Sequence, residues 1–178
     1  MASMEPKAHQ FLSAEALFAL IHKAFATLGD YRSGTPDICL ADAMMSALAM
    51  FSLKSPSLLA FDKERAEDNL HHIYGIERVP CDTSMREILD PVEPDALRPV
   101  FTQVFTQLQR GKALQAMACV QGHYLVARDG TGYFASKPIH CASCLETHHR
   151  NGTLIYAHHM LGAALIHPDK RAVIPLMP

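Results

Sequence analysis

The apolar residues of this 178-residue chain change their period near Gly111, and that switch limits the folds open to it. Before it, hydrophobic side chains recur at helical spacing; after it, short apolar runs are punctuated by Gly, Asp and Pro, as in strands and their turns. The spacing predicts two structural units, 1–112 and 113–178, and an α+β chain: an N-terminal helical region followed by antiparallel strands.

In the first unit Ser13 is placed to cap a helix that ends at Gly29, with Phe11, Leu17, Ile21, Phe25 and Leu28 on its apolar face. A second helix, capped by Asp37, runs through Met44, Leu48 and Phe51 and is apolar nearly all round, which predicts burial. A third is expected over 57–74, with a charged middle at 62–68. A short fourth follows Asp82 or Ser84 and stops at Asp90-Pro91. Glu93-Pro94-Asp95 opens a fifth, whose face carries Leu97, Val100, Phe101, Val104, Phe105 and Leu108. In the second unit strands are expected over 119–128, 131–136, 153–166 and 171–176.

Composition sets bounds on function. Hydrophobic residues make up 49% of the chain, as expected for a packed globular protein. No apolar run reaches the roughly 18 residues of a membrane span, and MASMEPKAHQ has no secretory pattern. The five cysteines fit a reducing cytoplasm, since only Cys141 and Cys144 lie close together. The net charge of −2 hides an asymmetry: residues 1–109 carry nine Lys/Arg against fifteen Asp/Glu, and residues 110–178 carry seven against three. Any polyanion would therefore be met by the C-terminal portion, which also holds seven of the eleven histidines.

Two groups of residues could carry chemistry. Asp129 ends the expected strand 123–129 at the rim of a core, where a carboxylate can hold Mg²⁺ and still admit substrate. Asp129-Gly130 between two strands equally fits a tight hairpin turn. The second group lies in HCASCLETHHRNG. There Cys141 and Cys144 have the bite that a tetrahedral Zn²⁺ needs, His148 or His149 could add a third ligand, and His140, His158 or His159 a fourth. The spacing matches no standard finger, so ordinary reduced thiols in a His-rich loop remain open. A nucleobase-deaminase zinc site lacks its His-x-Glu partner here. Asp169, in His-Pro-Asp-Lys, is a turn residue.

The stretches MSALAMFSLKSPSLLAFD (45–62), GIERVPCDTSMREILDPVEPDALRPVF (75–101) and RDGTGYFASKPIHCASCLETHHRNGTLIYAHHMLGAALIHPDKRAVIPLMP (128–178) resemble the N-terminal half of bacterial insertion-sequence transposases of the DDE type. The resemblance covers nearly all of the chain from about residue 15. It implies a helical region followed by the first antiparallel strands of an RNase H-like catalytic domain, with Asp129 as the first acidic residue of the triad. The family's second Asp and its Glu fall outside these 178 residues, so the resemblance implies an incomplete domain, inactive by itself. It further implies Mg²⁺ in the full-length parent, insertion-sequence DNA ends as the partner and a bacterial cytoplasmic setting. A non-catalytic alternative is a DNA-binding or inhibitory module, self-associating or pairing with full-length transposase and stabilised by structural Zn²⁺.

Overall fold

The computed structural model describes residues 12–176, and Phe11 lies outside them. The chain is mixed α+β and divides into two compact units, Met1–Ala113 and Leu114–Pro178. Among the described residues the first unit holds six α-helices: α1 (Ala14–Ala26), α2 (Leu40–Ser52), α3 (Leu58–Glu64), α4 (Asp68–Tyr74), α5 (Asp82–Leu89) and α6 (Arg98–Arg110). No helix among them is long and apolar enough to cross a membrane.

Ser13 caps α1 as expected, its Oγ accepting the Ala16 N–H at 3.2 Å. The cap of α2 is Cys39 rather than Asp37, its Sγ accepting from the Asp42 N–H at 3.3 Å. α2 is the buried centre of the unit: Leu40, Met44, Met45 and Ala49 are core residues, and Phe25, Phe61, Leu70, Ile76 and Met85 join them. Asp42 is buried too, with 3% of its surface exposed. Its carboxylate accepts the backbone N–H groups of Glu77 at 3.2 Å and Arg78 at 3.0 Å. A buried charge is tolerable when hydrogen bonds replace its water, and here those bonds tie the chain after α4 to the central helix.

The single helix expected over 57–74 is two helices. Ser57 does cap the first, through the Ala60 N–H at 3.1 Å, but the chain breaks at Arg65 and restarts at Asp68. Phase explains the break. Phe61 and Leu70 are nine residues apart, so at roughly 100° per residue one straight helix would point them in opposite directions. The break lets both enter the core, at 1% and 2% exposure. Gly75 closes α4 in the left-handed region, at φ 67°. α5 starts after Cys81 rather than after Asp82 or Ser84. Pro94–Leu97 forms a 3-10 turn before α6.

The second unit holds four strands: β1 (Leu125–Ser136), β2 (Leu145–His148), β3 (Leu154–Ile166) and β4 (Ile174–Pro175). All pairings are antiparallel, and β3 is central. β1 runs along one edge of β3. Tyr156 and Ala157 pair with both β1 and β2, and Ala164 and Leu165 with both β1 and β4, so β2 and β4 share the other edge.

The strand expected over 153–166 matches β3 closely, while that over 171–176 shrinks to Ile174–Pro175. The strands expected over 119–128 and 131–136 are corrected. A 3-10 turn occupies Val120–Gly122, and β1 then runs unbroken through Asp129-Gly130. No hairpin forms there, because β1 pairs with β3 from Leu125↔Ile166 to Ser136↔Tyr156. A turn at Asp129 would fold β1 on itself and strip that edge of β3 of its partner. Long-range pairing therefore overrides the local turn signal.

Candidate metal centre

The β2–β3 hairpin is locked by its register. Leu145 faces Ala157 and His148 faces Leu154, and the His149 N–H continues the ladder to the Thr153 carbonyl at 2.9 Å. Continued one step the other way, the register sets Cys144 opposite His158. The Cys144 Sγ and His158 Nε2 are 3.3 Å apart. A tight turn then brings Cys141 back: the Cys144 N–H donates to the Cys141 carbonyl at 3.2 Å, and the Cys141 N–H meets the Cys144 Sγ at 3.3 Å. Cys141 Sγ is thereby 3.3 Å from His158 Nε2 and 3.8 Å from Cys144 Sγ. All five cysteines are free thiols.

Cys141, Cys144 and His158 form a group that could hold a metal ion, their ligand atoms all within 4.8 Å of one another. The geometry fits a tetrahedral ion. Zn–S legs of about 2.3 Å give an S···S edge of about 3.8 Å, and a Zn–N leg of about 2.0 Å gives S···N edges near about 3.5 Å. The observed S···S edge agrees, and the two S···N edges are shorter by about 0.2 Å. Two soft thiolates and an imidazole favour zinc-type ions over Mg²⁺. Cys141 is exposed, and Cys144 and His158 are half-buried.

Aromatic rings set the orientation of the histidine. The Tyr133 ring stacks near His158 at a centroid distance of 5.9 Å, and Phe134 lies at the same distance on a tilted plane. A register shift between Gly132 and Phe134 brings both residues to this place. Nearby, the His140 ring stacks on Tyr156 at 4.2 Å.

The other expected ligands lie elsewhere. His148 is on the face of Cys144 but four residues along β2, roughly 13 Å by strand rise, and it pairs with Glu146 at 3.6 Å. His149 sits at the hairpin turn. His159 points to the opposite face of β3 from His158, over Gly132, where an added Cβ would meet its ring at 3.3 Å. Sequence reasoning placed His148 and His149 ahead of His158. The signal that separates them is the pairing sum of the hairpin, which needs its turn to be located first.

Asp129 is exposed in the middle of β1, opposite Gly162. Pleating puts it on the face of His158 but four residues along β3, again roughly 13 Å away. It belongs to no three-residue metal group among the described residues. Asp169 is in a turn, its N–H donating to His167 Nδ1 at 3.1 Å. Comparison of the chain with protein-family models, with curated proteins and with solved structures gives no match.

Proposed function

We propose that this sequence is the N-terminal portion of a bacterial DDE-type insertion-sequence transposase, acting in DNA transposition in the cytoplasm. The supporting observation is one of placement. The most specific stretch of the resemblance, 128–178, contains most of β1 and all of β2, β3 and β4, and β1 carries Asp129 beside a long antiparallel partner. In this reading the sheet opens an RNase H-like domain, and Asp129 supplies one carboxylate of a metal-binding triad. Mg²⁺, when bound by the whole triad, would polarise the scissile phosphate and activate first water and then a 3′-hydroxyl. Asp129 contributes a carboxylate oxygen, exposed and without a competing cationic partner among the described residues. The excess of Lys and Arg over residues 110–178 favours a DNA backbone as partner.

The ion at Cys141, Cys144 and His158 is, in the same reading, a structural zinc. It joins the connection after β1 to the central strand and leaves Asp129 free for its separate role. The test of the transposase reading is end cleavage by the full-length transposase carrying this sequence. Asp129→Ala should abolish Mg²⁺-dependent cleavage while leaving the circular dichroism spectrum unchanged; retained cleavage rejects the reading.

A second reading, a DNA-binding or inhibitory module without catalysis, is favoured by the isolation of Asp129 from any metal group among the described residues. It predicts sequence-specific binding to element ends whose affinity falls steeply with salt. Binding that is weak and blind to sequence counts against it.

A further inference from the structure

Three donors leave one corner of a tetrahedron unfilled, and structural zinc sites are closed by four protein ligands. The geometry eliminates most sources for the fourth. His148 and His149 are at the far end of the hairpin, and His159 is on the wrong face. Glu146 lies between Cys144 and His148 on β2, and its carboxylate is turned toward His148. Asp129 is on β1 opposite Gly162, four residues along β3 from His158.

His140 is different. It immediately precedes the ligand Cys141, and its ring lies 4.2 Å from that of Tyr156, nearly parallel at 17°. Tyr156 is two residues from His158 on the central strand, hence on the same face. The His140 ring therefore lies on the face of β3 that carries His158, next in sequence to Cys141. Its stack is a weak contact that a metal–imidazole bond can outcompete.

We propose that His140 is the fourth ligand of the Cys141/Cys144/His158 site, leaving its stack on Tyr156 to close the tetrahedron when metal binds. This rests on the zinc reading above and deepens it. Closure by His140 would shield the exposed Cys141 thiolate and turn an open three-residue site into a sealed one. It would also couple metal occupancy to the position of the 137–144 connection, since His140 and Cys141 would both be drawn onto β3.

Co²⁺ is the probe, because its visible absorption reports both geometry and thiolate count. The full chain should bind one Co²⁺ with a tetrahedral spectrum carrying two thiolate charge-transfer contributions. His140→Ala should weaken Co²⁺ binding by more than the roughly 10- to 100-fold lost when only a ligand's supporting hydrogen bond is removed. His140→Cys should restore tight binding and raise the thiolate charge-transfer intensity by about one half, as two thiolates become three. Tyr156→Phe, which keeps a ring but loses its hydroxyl, should bind like the parent. Unchanged affinity and spectrum in both His140 variants would overturn the assignment while leaving the three-residue site standing. Failure of the parent chain to bind Co²⁺, matched by Cys144→Ser, would overturn the zinc reading and this inference together.

Discussion

Cys144 stands across the hairpin from His158, one step beyond the last ladder pair of β2 and β3, with Sγ and Nε2 3.3 Å apart. The backbone register thus sets two donors of the candidate site in place, and the Cys141 turn adds a third. Preset donors need little reorganisation on binding, so metal affinity should convert directly into stability of the second unit.

The chain purified without chelator should carry one zinc. Cys141→Ser, Cys144→Ser and His158→Ala should each lose it, and with it several degrees of thermal stability in the transition of the sheet unit. His148→Ala and His149→Ala should keep it. Elemental analysis beside thermal unfolding separates the two sets, and loss of zinc in His148→Ala alone would point to a different ligand set.

Asp42 ties the chain after α4 to the central helix of the helical unit. Removing its carboxylate leaves the Glu77 and Arg78 N–H groups without their acceptor at a part-buried contact. Asp42→Ala should cost about 3 kcal/mol, the scale of hydrogen bonds to a charged group. Urea unfolding gives the number, and a loss below about 1 kcal/mol would show that water replaces the carboxylate.

Cys81 should be the readily modified thiol of the helical unit. The Ser84 hydroxyl, 3.2 Å from its Sγ, holds the thiol below its ordinary pKa, helped by the Ser84 backbone N–H. Only the thiolate reacts. Ser84→Ala should therefore raise the pKa and slow alkylation of Cys81 at neutral pH, with the two proteins converging at alkaline pH. Identical rate profiles would remove the hydroxyl from the explanation.

Asp30 gives a pH signature in the acid range. The Arg32 guanidinium bonds both of its oxygens, at 2.9 Å and 2.6 Å, and lowers its pKa from the ordinary 3.8. A carboxyl lowered by folding stabilises the native state above its unfolded pKa. That contribution fades as pH falls from about 4 through the lowered value. Asp30→Asn should lose it, so the gap between parent and variant in urea midpoint should narrow below pH 4. A gap constant with pH would mean the pair is neutral toward folding.

Legibility in the sequence followed the range of the interactions. Ser13 and Ser57 were readable as caps because a cap is a bond across three residues. The break in 57–74 was hidden, since the phase conflict between Phe61 and Leu70 matters only once one core must receive both. Asp129-Gly130 misled for a related reason: the dipeptide signals a turn, and a partner some thirty residues away overrides it. In the metal group, the Cys-x-x-Cys spacing is local and was legible. The choice of His158 over its neighbours was settled by strand pairing, which no spacing rule contains.

The register shift between Gly132 and Phe134 has a consequence for how β1 finds its place. Nearly every residue of β1 is exposed on both faces, so burial cannot tell one alignment from the next, and a slip by one residue would carry little hydrophobic penalty. The bulge supplies the missing index mark. It admits one extra residue at one position only, where the His159 ring lies over Gly132 and Phe134 comes level with His158. A displaced strand would set a side chain under the His159 ring and carry Phe134 away from His158. β1 is thus keyed by an irregularity, as a bolt is by its notch, and His158 of the candidate metal group is part of the key.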